Sequence, residues 1–235
     1  LAAVRAERAA NVVGGTLVLT APELFGRLKV MPVLEAFLEM HPRVQARALL
    51  LNRIVDMLEE GVDVAVRLAH LPESSLVAVR LGEVRQIVCA SPDYLARRGV
   101  PGEPVELSGH SCIGTGTDGN QELWTFRRHA GGPRVRAVRV HTALSTTSAG
   151  AGLESALRGR GLVRVLSYQV AEQLAAGRLQ RVLARFEPQP IPVSLVFRPD
   201  PQRRSPLRGF VDHAVPALRR ELATVAATLG QLPGP

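Results

Sequence analysis

A chain of 235 residues, 46% apolar and 21% charged, has the length and composition of one large or two small globular domains, and 4% aromatics means a core built mainly from Leu, Val and Ala. Net charge is +8 and nearly all arginine, with Lys29 the only lysine, yet the pairs Arg97–Arg98, Arg127–Arg128, Arg203–Arg204 and Arg219–Arg220 lie far apart, which fits a solvated basic surface better than a dense nucleic-acid footprint. No apolar run is long enough for a membrane span, and two cysteines, Cys89 and Cys112, make no disulfide framework and have no metal-ligand spacing around them.

In chain order, residues 1–13 read as the tail of a helix stopped by Gly14 and Gly15. "TLVLTAP" follows as a buried strand ended by Pro22. Residues 23–40 carry Phe25, Leu28, Met31, Leu34, Phe37 and Leu38 at the spacing of one helical face. Pro32 lacks a backbone donor and should kink or restart that helix, which ends at His41-Pro42. Residues 44–51 form a second strand, Asn52 caps a short helix through Glu60, and residues 62–68 form a third strand. Further strands are expected over 73–82 and 85–91. The alternation predicts an α/β architecture with a mostly parallel sheet.

Residues 91–99 make a helix cassette: Ser91 caps, Pro92 takes the first position, Asp93 complements the dipole and Gly99 stops it. A loop then leads to a short strand before residue 114. Strands are expected at "ELWTFR" and 135–142, a small-residue helix over 147–158, a strand over 161–167 and a helix over 168–177. "LQRVLARF" and 193–199 read as closing strands, and Ser205-Pro206 opens a last helix before a disordered "GQLPGP" tail. The strand–helix alternation restarts near residue 91, so the chain reads as two similar halves.

Residues 114–119, "GTGTDG", match the glycine pattern of dinucleotide loops. No clear amphipathic helix follows, and Val138 and Arg139 stand where the ribose-binding acid would be, so the stretch reads as a flexible or small-ligand loop. His110 and Cys112 are too short a pattern for a metal site, and no nucleophile, base or metal-ligand constellation is present. No cofactor, catalytic residue or metal ligand is therefore expected. The turn from "TLVLT" into the helix at 23 is the more informative place. A helix N-terminus after a buried strand presents free N–H groups to a ligand, Thr20 adds a hydroxyl, and Glu23 competes for the same donors. A plain strand-to-helix connection is the other reading.

Several stretches in fixed order resemble the effector-binding domain of LysR-type transcriptional regulators. They are "GTLVLTAPELFG" (15–26), "FLEMHP" (37–42), "DMLEEGVDVAVR" (56–67), "SSLVAVRLG" (74–82), "CASPDYLARRG" (89–99) and "LAAGRLQRVL" (174–183). The resemblance covers residues 14 to 222 and implies two Rossmann-like subdomains joined by two crossover strands, as in periplasmic binding proteins. Subdomain I would be 15–86 with 189–225, subdomain II 87–188, residues 1–14 the end of a linker helix and 226–235 a disordered tail. The crossovers would lie near Val88–Ser91 and Pro188–Val193. A small effector, with a carboxylate as one candidate, would sit in the inter-subdomain cleft against Thr20, Pro22, Glu23, Arg67, Ser91, Thr115, Gly116 and Ser148. Arg158, Arg160 and Arg164 make the 146–166 stretch more basic than the family's usual form.

The resemblance further implies a cytoplasmic homodimer or homotetramer that binds DNA through an N-terminal winged helix-turn-helix outside this chain. Phe25, Leu28, Leu34 and Leu38 would form the dimer interface, although the same stripe suits burial within one subunit. A transport solute-binding protein of the same fold is the first alternative and a small-molecule enzyme the second.

Overall fold

The first apolar run forms a strand with Leu17, Leu19 and Ala21 buried along one side. The computed structural model describes residues 13–115, 121–128, 135–199 and 206–231. Its strands are β1 (Gly15–Ala21), β2 (Val44–Leu50), β3 (Val64–Leu68), β4 (Val77–Val84), β5 (Gln86–Ala90), β6 (Cys112–Gly114), β7 (Gln121–Arg127), β8 (Val135–Ser145), β9 (Leu162–Leu166), β10 (Gln180–Val182) and β11 (Ile191–Phe197). The helical segments are α1 (residues 23–40), α2 (Pro92–Arg98), α3 (Ala149–Leu157), α4 (Ser167–Ala175) and α5 (Pro206–Gly230). Two compact units result. Unit 1 holds the described residues through Glu83 together with Pro192–Ala223, and unit 2 holds Val84–Ile191 with the described residues from Thr224 on.

In unit 1 the sheet order is β2-β1-β3-β11-β4. β1 is parallel to β2 and to β3, and β11 runs antiparallel to β3. The sheet is thus mixed rather than mostly parallel. β11 enters unit 1 directly from unit 2, without the helical crossover that would impose a parallel direction.

α1 answers the Pro32 problem by changing pitch. It opens as α over Glu23–Phe25, widens to a π-helix over Gly26–Val30 and returns to α over Met31–Met40. The Met31 N–H reaches back to the Gly26 carbonyl. Pro32 then falls in the first turn of the resumed α-helix, where its missing donor has no partner to lose. Gly26 is needed here, because a Cβ would collide with the Leu50 side chain and stand 3.3 Å from that of Ala21. Phe37 meets Phe210 of α5 edge to face at 5.5 Å.

The short helix expected over 52–60 does not form. Val55 and Met57 are both buried, and an i, i+2 pair cannot share one helical face. The segment is a run of turns instead. Asp56 Oδ1 accepts the Leu58 and Glu59 N–H groups, Arg53 grips Glu60 through two bonds of 2.7 and 2.8 Å, and Gly61 turns the chain at φ 62°. Val55, Met57 and Val62 pack with Ala65 and Val196 on that side of the sheet.

Unit 2 has the order β10-β5-β9-β6-β8-β7, with β6 parallel to β8 and β9 and the other pairs antiparallel. Its core gathers Trp124, Phe126, Leu107, Cys112, Leu162 and Val182. Residues 88–90 pair inside this sheet, so the first passage between units comes earlier than Val88–Ser91, at Glu83 and Val84. Ser91 caps α2, its hydroxyl accepting the Tyr94 N–H at 3.3 Å, and Gly99 stops the helix at φ 84°, as its sequence predicts. "LQRVLARF" is not one strand. β10 ends at Val182, Leu183 adopts a left-handed φ of 57°, and a 3-10 turn covers Ala184–Phe186. α5 continues to Gly230, past residue 226, because Val225 and Leu229 extend its buried stripe. The helix tail expected at 1–13 lies almost wholly outside the described residues.

The turn after β10 brings Glu187, 6% exposed, against Arg181 in a two-bond pair of 2.7 and 2.6 Å. Removing one partner of such a pair leaves a charge out of water. Arg181→Met is expected to destabilise the chain by about 3–5 kcal/mol in urea unfolding, with Arg181→Met/Glu187→Leu recovering most of the loss.

Candidate functional site

In unit 1, the carboxyl end of β1 and the start of α1 are held by side chains that already have partners. Thr20 is 2% exposed, and its hydroxyl donates to the Leu49 carbonyl on β2 at 2.8 Å. The Pro22 carbonyl accepts the Gly26 N–H at 2.7 Å. The Glu23 N–H donates to Asn52 Oδ1 at 3.1 Å, while the half-buried Glu23 side chain lies 3.7 Å from Arg27. Asn52 therefore caps the helix that begins 29 residues earlier, not one of its own. Sequence reasoning missed this role, because nothing local marks which strand end a distant side chain will reach.

Arg67 is placed differently from the other three. It sits two residues beyond the buried Ala65 on β3, and its Nη2 donates to the Val55 carbonyl at 2.7 Å. Burial lowers its pKa from the ordinary arginine value. The hollow that it lines includes none of Thr20, Pro22 and Glu23.

In unit 2, the structure brings Thr115 and Ser148 to one place. Thr115 follows β6, and Ser148 caps α3 by accepting the Ala151 N–H at 3.3 Å. Between them, the Thr146 N–H donates to the Gly114 carbonyl, and Thr146 Oγ1 accepts the Ser148 N–H at 3.2 Å. Gly152 of α3 faces the methyls of Ile113, Thr115 and Thr146, which a Cβ there would meet at 3.5–3.6 Å, an ordinary contact. Gly114 admits no side chain at all: a Cβ would meet the Glu122 carboxylate and come within 2.9 Å of Ser145 Oγ. Gly116 lies outside the described residues.

Ser91 is not part of that cluster. Cys89 pairs with Val163 and Ile113 with the same Val163 on its other side, so Ser91 and Thr115 leave the sheet at opposite ends, about 13 Å apart by strand rise. Ser91 is 4% exposed and its hydroxyl is engaged by α2.

Of the three arginines that make residues 146–166 basic, Arg164 is turned inward. It lies over the Trp124 ring at 5.5 Å, and Trp124 Nε1 donates to Glu122 at 3.0 Å. Burial lowers the Arg164 pKa, and the nearby Glu122 carboxylate opposes that shift. His110 faces the Tyr94 hydroxyl at 3.2 Å rather than Cys112, and among the described residues no group of three metal-ligating side chains converges. Among them, too, no helix is long and apolar enough to cross a membrane.

The stripe on α1 divides. Phe25 and Leu34 are buried within the chain, while Leu28 is 40% exposed and Leu38 half-buried. Phe25 and Leu34 are core residues and have no surface to offer a second subunit.

Two α/β units, each built around its own mixed sheet, define the two-subdomain architecture of periplasmic-binding-protein-like regulatory domains. The family model described as LysR substrate binding domain matches residues 10–219, and the chain belongs to that family. It is 32% identical over 196 residues to the uncharacterized HTH-type transcriptional regulator YhjC of Escherichia coli, covering 83% of this chain and 64% of YhjC. It is 31% identical over 193 residues to the HTH-type transcriptional regulator CrgA of Neisseria meningitidis, covering 81% of this chain and 63% of CrgA. The chain thus spans less than two thirds of each relative. The CrgA regulatory domain superposes with a TM-score of 0.73 at 27% identity, over 87% of this chain and 99% of that one. The regulatory domain of AphB from Vibrio vulnificus gives 0.73 at 21% identity, over 86% and 98%.

Two outcomes follow for the described geometry. Asn52→Ala should lower stability by about 1 kcal/mol in thermal unfolding, the ordinary value of a lost helix cap. Cys89 and Cys112 are fully buried, and burial pushes both thiols up to about 12. Neither should react with a thiol reagent at neutral pH in the folded chain, and both should react in urea.

Proposed function

We propose that the chain is the effector-sensing and oligomerising domain of a LysR-type transcriptional regulator, and that it acts by binding a small organic acid. The match to the LysR substrate binding domain over residues 10–219 carries the regulator reading. Its relatives are transcriptional regulators and not enzymes, so the complete gene product is read as a cytoplasmic, DNA-binding homo-oligomer without cofactor or catalytic residue.

For the ligand, the supporting observation is the end of β6. Thr115, Thr146 and Ser148 stand together beside the first turn of α3, where the Thr146 and Ser148 hydroxyl oxygens already accept backbone N–H groups. Hydroxyls and helix-turn amides of this kind suit a carboxylate oxygen. Gly116 follows directly in the chain and is assigned to the same group. In unit 1 the Thr20 hydroxyl and the Glu23 N–H are already engaged, by the Leu49 carbonyl and by Asn52, so that turn is left out of the proposed site. Oligomerisation through α1 falls to Leu28 and Leu38, since Phe25 and Leu34 are internal. Regulation requires that the ligand favour one state of the oligomer over another, which binding alone does not ensure.

A thermal-shift screen of small organic acids on the 235-residue chain tests the ligand. A true effector at a hundredfold excess over its Kd should stabilise by about 2.7 kcal/mol. Thr115→Val and Ser148→Ala should each reduce the response. An acid that stabilises both variants as strongly as the parent would remove this site.

A further inference from the structure

Among the described residues, the apolar cluster on the unit 1 sheet face that carries Val18, Ala65 and Val196 contains no helical residue. The turns of residues 52–61 cover part of that face, and beside them lies a hollow of about 1150 Å3. Its rim holds the two most exposed large apolar side chains among the described residues of the unit, Ile54 at 88% and Leu58 at 72%, with Leu71 at 38% beside them. Half-buried Leu76 continues the apolar wall.

One charged group reaches this wall from the sheet. The Arg67 guanidinium makes a single hydrogen bond, to the Val55 carbonyl, and among the described residues no acceptor meets its other N–H groups and no carboxylate lies within ion-pair distance. A half-desolvated guanidinium with unused donors beside apolar walls favours an anion with a hydrocarbon body. The rest of the lining limits the charge of that anion. Arg67 and Arg198 face Asp56 and Glu73 in the lining, two positive against two negative side chains, and the Glu59 and Leu58 amides hold the Asp56 carboxyl below its ordinary range. A polyanion would find no excess positive charge there, whereas a single carboxylate needs only the unused donors of Arg67.

We propose that this hollow is a binding site for a small monocarboxylate with an apolar body, its carboxylate on Arg67 and its hydrocarbon against Ile54, Leu58, Leu71 and Leu76. The site lies wholly within unit 1 and is separate from the Thr115 group, so it stands or falls independently of the effector reading above.

Calorimetric titration of the 235-residue chain with 4-phenylbutyrate, and with 4-phenylbutanol as the uncharged control, tests the proposal. Saturable binding of the acid is expected, with the alcohol at least about tenfold weaker, the value of a lost charge-assisted contact. Leu58→Glu changes an exposed residue and puts a like charge at the rim. It and Arg67→Gln should each weaken the acid by at least about tenfold, while Val100→Ala, at an exposed position of unit 2 that belongs to neither site, should not. Absence of saturable binding, equal binding of the alcohol, or full binding retained in both Leu58→Glu and Arg67→Gln would each overturn the proposal. Concentration-dependent dimerisation abolished by Leu58→Glu, with no acid bound, would assign the hollow to a second copy of the chain and overturn it equally.

Discussion

A strand paired in parallel on both sides cannot be closed by hairpins. β1 is in that position, with β2 and β3 parallel to it, and the rest of unit 1 follows from the constraint. The chain must leave the carboxyl end of β1, return along the outside and enter β2 at its other end. α1 is that return path, and its start is therefore fixed at the strand end where Thr20 and Pro22 lie. The second crossover starts where β2 ends, which delivers Asn52 to the same place and lets it cap α1. The cap is thus a consequence of topology rather than of local sequence.

The same constraint separates two kinds of polar residue. Thr20 is held between neighbouring parallel strands, so its hydroxyl finds a β2 carbonyl and the side chain is buried. Arg67, two residues beyond the last paired residue of β3 with β1, still pairs with Ser194 of β11 through its backbone, but its side chain hydrogen-bonds only the turn at Val55. The second crossover lacks a helix, because Val55 and Met57 both pack inward, and this leaves Ile54 and Leu58 in solvent. Exposure of two large apolar side chains and underuse of the Arg67 donors therefore have one origin.

Much of unit 2 was legible because its signals are local. Ser91-Pro92-Asp93 and the closing Gly99 state where α2 begins and ends, and each acts through atoms within one or two turns. The small-residue helix expected over 147–158 forms as well, and the structure shows Ser148 to be its cap. The family likeness, carried by several stretches in fixed order, made the two-subdomain fold legible as well. The candidate site was less so. Ser91 and Thr115 look equivalent as hydroxyls after strands, but β5 and β6 run in opposite directions, because each pairs with β9 in a different sense. Strand direction is not written in a strand's own residues, so only the assembled sheet shows that the two hydroxyls part. Phe25 and Leu34 likewise share a helical stripe with Leu28, and only the packing of α1 decides which of them face inward.

What the amino-acid order determined by itself is the set of elements whose signals act within a few residues: the caps, the glycine stops, the pitch change forced near Pro32 and the apolar alternation of the strands. What the tertiary structure decided is every pairing across long separations. Those are the mixed direction of both sheets, Asn52 on α1, Arg181 on Glu187, and the turns in place of a helix over residues 52–61. The physical reason is range. Backbone sterics and local hydrogen bonds are settled by neighbours in sequence, whereas burial and ion pairing depend on which distant surface arrives, and that surface exists only once the chain has folded.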